Sequence, residues 1–115
     1  MATIERFLRH VDRARATLPE RYRALLEEVA VLVVERPDPA DRQAVGLATR
    51  EHLYGLYDGA GIGNGAARIV LYRHALERDY PSDRALSREI RRTLLHELGH
   101  HLGYDDAQLD ALGLN

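Results

Sequence analysis

Apolar positions near the start of the chain follow the period of an α-helix. Between Thr3 and Leu18 they recur at every third or fourth residue, which predicts an amphipathic helix at the beginning of the fold. Pro19 interrupts this pattern, because proline ends or kinks a helix. A short helical turn is expected to follow through Glu27.

Three shorter segments are typical of β-strands. The run from Val29 to Val34 is apolar throughout and rich in β-branched residues, and it predicts a buried strand. Leu53 to Tyr57 and Ile69 to Tyr72 predict a second and a third strand. Between them, residues 36–50 indicate a surface loop, and the glycine-rich residues 58–65 indicate a turn.

The C-terminal part of the chain predicts the longest helix. A short helical turn is expected over His74 to Tyr80, and Ser82 or Asp83 can then cap the long helix that follows. Its apolar positions recur at every fourth residue and form one stripe: Leu86, Ile90, Leu94, Leu98 and Leu102. A final short helix is expected over Ala107 to Leu112. The order of elements predicts a mixed α/β (α+β) fold.

Composition narrows the classes of protein that this pattern can form. The 115 residues predict one domain, residues 1–115, and the net charge of -2 argues against a nucleic-acid partner. No apolar run is long enough for a transmembrane helix, so no membrane partner is expected. Charged residues are interleaved with apolar ones from Glu5 onward, unlike in a secretory signal, and we therefore expect a cytoplasmic protein. The sequence indicates no oligomeric state.

Cysteine is absent, which excludes disulfides and thiolate metal sites together. Any metal ion must then be held by histidine, aspartate or glutamate side chains. The candidates for this chemistry lie in the last predicted turns of the long helix.

Those turns contain the motif H-E-x-x-H at residues 96–100. A helix advances by about 100° per residue, so His96 and His100 lie about 40° apart on one face and can bind one metal ion. Glu97 lies one step around the helix, where its carboxylate can reach a metal-bound water without joining the coordination shell. Two imidazoles with a neighbouring proton-accepting carboxylate indicate a zinc hydrolase.

Gly103 and Asp106 extend the motif. They occupy the positions that H-E-x-x-H-x-x-G-x-x-H proteins use for a tight turn and a third ligand. A glycine with positive φ can reverse the chain and return Asp106 to the metal, giving three ligands and one open position. Asp105 competes for this role, although the spacing favours Asp106 and leaves Asp105 to cap the last helix. The alternative is a helix with two solvated or core histidines, which does not explain the other three residues.

These residues resemble those of a small bacterial zincin-like metallopeptidase family. The matching segments are residues 96–103 followed by Asp106, with residues 55–59 and 69–73 upstream, and the resemblance extends from about Phe7 to the C-terminus. It implies a minimal zincin-like fold. In that fold an N-terminal backing helix and a small mixed three-stranded sheet accompany a long active-site helix and a short C-terminal helix.

The resemblance also implies an activity, the zinc-dependent hydrolysis of peptide bonds in a peptide or protein substrate. Zn²⁺ is expected to be held by His96, His100 and Asp106, and Glu97 is expected to act as the general base on a metal-activated water. Asp106 departs from metzincins, which have histidine there. The edge of the strand at Leu53 to Tyr57 can pair with an extended peptide.

Two alternative functions stay open at this stage. Endoribonucleases of ribosomal RNA maturation carry H-G-x-x-H-x-x-G-Y-D-H, which this chain matches at His100, Gly103, Tyr104 and Asp105. Glu97 departs from that pattern, and an arginine cluster on the long helix (Arg84, Arg88, Arg91, Arg92) is either a solvated face or an RNA contact. Because few residues follow the motif, an open groove is expected, and this favours a catalytically weak metal-binding interaction module as the second alternative.

Overall fold

The computed structural model describes residues 3–37, 54–59 and 67–112, and the side chain of Asp106 lies outside this description. In these ranges the helices are α1 (Ile4–Thr17), α2 (Glu20–Leu25), α3 (Arg73–Asp79), α4 (Asp83–His101) and α5 (Asp106–Ala111). The strands are β1 (Ala30–Val34), β2 (Gly55–Asp58) and β3 (Arg68–Tyr72).

The strands form a mixed sheet in the order β1-β3-β2. Strand β3 is central and pairs in parallel with β1, where Val31 lies opposite Ile69, and antiparallel with β2, where Leu56 lies opposite Val70. The antiparallel pair ends at Asp58 and Arg68, whose side chains form an ion pair of 3.1 Å. The mixed three-stranded sheet expected from the family resemblance is confirmed.

Helix α4 packs against α1 and against strands β2 and β3, and this packing forms the core. The predicted apolar stripe supplies four fully buried side chains of α4, namely Leu86, Ile90, Leu94 and Leu98. Helix α1 contributes Phe7, Val11 and Ala14 to the same cluster. Ser82 caps α4, because its side chain accepts a hydrogen bond of 3.2 Å from the Ala85 N–H. The long helix and its backing helix are therefore as predicted.

Two expectations about burial are wrong. Strand β1 was predicted to be buried, yet in the described part of the sheet it lies at one edge and leaves Ala30, Leu32 and Val34 exposed on one face. An apolar run indicates a strand without indicating which neighbours cover its two faces. Leu102 is 42% exposed, because it caps the end of α4 and no longer continues the helical stripe.

Some predictions fall outside the described residues. These are the surface loop beyond residue 37, the start of the second strand at Leu53, and most of the glycine-rich turn. Of the helices in the described ranges, none combines the length and apolar character that crossing a membrane requires. The single domain over residues 1–115 stays a prediction.

Candidate metal centre

The last two turns of α4 bring the two motif histidines together. The Nε2 atoms of His96 and His100 lie 3.2 Å apart, and the rings meet edge to face with centroids 4.8 Å apart. Two nitrogens that share a tetrahedral zinc ion at about 2.0–2.1 Å are separated by about 3.3–3.4 Å. The pair therefore fits one edge of such a coordination shell, as the helical spacing predicts.

Helix α4 ends in a Schellman motif. Gly103 has a φ of 87°, and its N–H donates to the His100 carbonyl at 2.9 Å. The N–H of Tyr104 reaches back to the Gly99 carbonyl at 3.0 Å. These two bonds satisfy carbonyls that the helix end would otherwise leave without donors. The turn that the sequence places at Gly103 is confirmed, together with its positive φ.

The same turn orients the His100 ring. Its Nδ1 lies 3.0 Å from the Tyr104 carbonyl, and a carbonyl can only accept, so Nδ1 carries the proton. The lone pair of the neutral ring is then on Nε2, the atom that faces His96. A backbone carbonyl commonly holds a metal-binding histidine in this way. Sequence reasoning missed this contact, although a glycine three residues after His100 is the signal for the turn that makes it.

Glu97 is buried beside this pair, with an exposed fraction of 1%, while His96 is 7% exposed. Glutamate is among the residues that are least often fully buried. The helix places the Glu97 carboxylate about 100° around from His96, one residue along. A buried carboxylate adjacent to two imidazoles suits a role in proton transfer better than a role in packing.

Of the two candidate third ligands, the structure describes the side chain of Asp105 but not that of Asp106. The side chain of Asp105 accepts a hydrogen bond of 2.8 Å from the Gln108 N–H, and the Gln108 side chain accepts one of 2.8 Å from the Asp105 N–H. This capping box begins α5 and confirms that Asp105 caps the last helix. Across the described residues no cluster of three metal-binding side chains is found, and the role of Asp106 stays a prediction.

Helix α5 is attached to α4 through Gly99 and Leu109. Leu109 is fully buried, and a Cβ placed on Gly99 would overlap its Cδ2 methyl group. Only glycine therefore allows this close approach of the two helices. Because Asp106 is the first residue of α5, the contact also sets the position of the backbone that carries the proposed third ligand.

Strand β2 is held against α4 near the metal pair. A Cβ on Gly55 would lie 2.7 Å from the Thr93 Cγ2 atom, so the strand can lie this close only because residue 55 is glycine. The Tyr57 hydroxyl is 2.8 Å from His101 Nδ1, and His101 Nε2 is 3.3 Å from Glu28. Burial, and next the charge of Asp58, raise the pKa of Tyr57. Both ring nitrogens of His101 are engaged by these side chains, and sequence reasoning identified neither partner.

A second polar cluster joins α1 to the first turns of α4. His10 is largely buried, with Nδ1 2.6 Å from the Ser87 hydroxyl and Nε2 3.0 Å from Asp83. Arg6 pairs with the same Asp83 carboxylate through its Nη2 atom at 2.6 Å. The hydrogen bond from His10, followed by Arg6, lowers the pKa of Asp83. The cluster lies at the opposite end of α4 from the metal pair and joins the two helices.

Comparison with known families gives a match that covers most of the chain. A family model described as zincin-like metallopeptidase matches residues 26–114, which include all three strands and the complete motif. No protein in the curated set matches the chain.

Proposed function

Because the chain belongs to the zincin-like metallopeptidase family, we propose that it is a zinc-dependent hydrolase of peptide bonds in a peptide or protein substrate. His96, His100 and Asp106 would hold the ion, and Glu97 would be the general base. The observation that carries the proposal is the 3.2 Å separation of the two Nε2 atoms, with the His100 ring oriented by the Tyr104 carbonyl.

The donor set fits a zinc ion that is bound by nitrogen and oxygen. Imidazole and carboxylate are both common zinc ligands, and three protein ligands leave the open position of a catalytic site. Zinc supplies a Lewis acid and a water of lowered pKa when it is bound. The carboxylate at residue 106 makes the ligand set more negative than three histidines would.

Glu97 would move the proton in this reaction. Its carboxylate accepts a proton from the water whose oxygen adds to the peptide carbonyl carbon. As the C–N bond breaks, the same carboxyl group gives that proton to the departing amine nitrogen. The burial of Glu97 supports this role, because bulk water is kept away from the group that must hold the proton between the two steps.

Strand β2 is the proposed place for the substrate backbone. In the described part of the sheet β2 pairs with β3 on one side, which makes it an edge strand beside α4. An extended peptide can add to such an edge through backbone hydrogen bonds. The contact between Tyr57 and His101 would hold β2 at a fixed distance from the motif helix α4.

A zinc endoribonuclease is the second candidate, and the exposed arginines of α4 favour it. Glu97 and the family match favour the peptidase. The test is a digest of a peptide library by the zinc-loaded protein, followed by mass spectrometry, beside a digest of single-stranded RNA. Cleaved peptides with intact RNA support the peptidase, and cleaved RNA alone overturns it. A protein that binds zinc and cleaves neither is the interaction module.

The variant Glu97→Gln tests the mechanism once a substrate peptide is found. The amide has nearly the shape of the carboxylate but cannot accept the proton, so hydrolysis should fall by about 10²–10⁴-fold while zinc stays bound. Zinc content is measured by atomic emission and cleavage rate on the same preparation. Cleavage at the parent rate by the zinc-loaded variant would falsify the mechanism.

A further inference from the structure

Helix α4 carries a line of basic residues that leads to the metal pair. Every fourth residue along it is basic, in the order Arg84, Arg88, Arg92, His96 and His100. Residues four apart are neighbours that differ by about 40° around the helix, so the five form a continuous row that winds gradually around an uninterrupted helix. We call the three arginines the arginine row. All three are exposed, and Glu89 is the only acidic residue between Arg84 and His96.

The arginine row differs from arginines that pack at the edges of the core. Arg6, Arg68 and Arg73 are largely covered, and each pairs with at least one carboxylate. In the ranges that the structure describes, no member of the arginine row has an ion pair. The charges of the row are therefore available to a ligand.

Helix stability does not account for Arg84, the first member of the row. Arg84 is the second residue of α4, next to the end where the helix dipole is positive. A cation there is unfavourable, and arginine near the C-terminal end of a helix would be the stabilising arrangement. A charge placed against the dipole, in a row that runs toward the candidate active site, points to an external anion.

We propose that the arginine row binds acidic side chains of the substrate, on one side of the bond to be cleaved. This inference rests on the proposed function. The row begins four residues and ends twelve residues before His96, which corresponds to about 6–18 Å along the helix. An extended peptide advances by about 3.3 Å per residue, so the preferred acids lie about two to five residues from the cleaved bond.

Two observations favour an acidic polypeptide over RNA as the bound anion. The net charge of the chain is -2, which gives little long-range attraction for RNA, whose charge extends well beyond a short acidic segment. The family match covers the row, and it describes peptidases. Three successive arginines suit a short acidic segment of a polypeptide, in which neighbouring residues can each carry a negative charge.

The test measures binding and requires no turnover. Zinc-loaded Glu97→Gln protein is titrated into three fluorescein-labelled probes: a decapeptide rich in Glu and Asp, its Gln and Asn counterpart, and single-stranded RNA of equal charge. Anisotropy is read at low and high salt. The acidic peptide should bind most tightly, and its affinity should fall with salt as the charges are screened.

Charge reversal then locates the site. Arg88→Glu with Arg92→Glu should weaken binding of the acidic peptide by about tenfold or more at low salt. The control is Arg23→Glu with Arg36→Glu, two exposed arginines outside α4 that give the same net charge. This control should stay within about twofold of the parent. Circular dichroism establishes that both double variants are folded.

Each remaining outcome overturns the inference. Equal losses in the two double variants would mean that net charge alone drives binding. Tighter binding of RNA than of the acidic peptide would favour the nuclease. Equal binding of the acidic and neutral peptides would mean that the arginine row is only a solvated helix face and binds no acidic side chains. Failure of the proposed function is seen separately, as unchanged cleavage by Glu97→Gln or loss of zinc binding.

Discussion

His100 is oriented by a backbone atom, and this makes its position depend on the shape of a turn. The Tyr104 carbonyl accepts from Nδ1, while the Tyr104 N–H completes the cap of α4. A side-chain substitution at residue 104 leaves both backbone groups in place. The ring orientation therefore depends on Gly103, whose positive φ forms the turn, more than on the identity of Tyr104.

The first prediction concerns the two histidines. The protein should bind about one zinc ion per chain, and replacing His96 and His100 by alanine should abolish binding, because one carboxylate cannot hold the ion alone. Zinc per chain is measured by atomic emission after dialysis. His74→Ala, on α3, is the matched control and should keep its zinc. Stoichiometric zinc in the double variant would disprove the site.

The second prediction separates the two aspartates. Asp106→Asn should weaken zinc by about 100-fold or more, because a charged ligand is lost. Asp105→Asn should change it little, since asparagine also caps helices and keeps α5 in place. Competition with a chromophoric chelator gives both affinities. If the two variants bind zinc equally well, the choice of Asp106 as the third ligand is wrong.

At the scale of residues, the sequence predicts the parts of the site that local geometry determines. The helical period alone brings His96 and His100 onto one face, and the glycine at residue 103 marks the turn. The contact between Tyr57 and His101 joins residues 44 positions apart, so it depends on how β2 packs on α4. No local pattern contains that information.

At the scale of elements, α4 was predictable because its apolar residues repeat with the helical period over four turns. Strand β1 was predictable as a strand, but its burial was not. Its apolar run would suit a central strand, yet among the described strands β3 is central and β1 lies at the edge. Strand order depends on which connections the chain makes over residues 35–67, and apolar periodicity does not describe those connections.

The third prediction tests the contact between α4 and α5. Gly99→Ala should lower the free energy of unfolding by about 1–3 kcal/mol, because the added methyl group overlaps Leu109. In a Leu109→Ala background the overlap is gone, and the same change should be neutral or stabilising by up to about 1 kcal/mol, from helix propensity. Urea unfolding of the four proteins gives the coupling energy.

The contact also links the elements to the site. Gly99→Ala should weaken zinc binding if α5 carries the third ligand, because the helix must move to accommodate the methyl group. Equal destabilisation by Gly99→Ala in both backgrounds would mean that Leu109 is not the group it meets. If the Gly99→Ala protein is destabilised but its zinc affinity is unchanged, then α5 does not carry the third zinc ligand.

At the scale of the whole molecule, α1 is part of the same core as the motif helix, although the family match begins at residue 26. Phe7, Val11 and Ala14 are buried in the cluster that also contains Leu94 and Leu98 of α4. The polar cluster of His10, Arg6 and Asp83 joins α1 to the first turn of α4. The support for the motif helix therefore extends beyond the matched residues.

The fourth prediction follows from the lowered pKa of Asp83. Its folded pKa lies below the ordinary value of 3.8, so its contribution to stability is present above that pH and is lost as the pH falls through the lowered value. Asp83→Asn should be less stable than the parent at pH 7, and the difference should shrink at about pH 3. Urea unfolding at both pH values measures it.

Asp12→Asn is the control for this pH dependence, since Asp12 is an exposed acid on α1. It should follow the parent at both pH values. A deficit in Asp83→Asn that is the same size at pH 7 and at low pH would mean that the Asp83 charge does not hold the two helices together.

The Schellman turn at the end of α4 has a consequence for how the chain moves. The last turn of a helix opens more easily than its middle, and amide hydrogen exchange measures that opening. An ion held by both histidines would join the final turn to the one before it, and a ligand of the native state adds to stability by mass action. The Gly103 and Tyr104 amides, whose bonds close this turn, would then exchange more slowly in the zinc-loaded protein. Local opening at one end of one helix thus becomes a measure of whether the ion is bound.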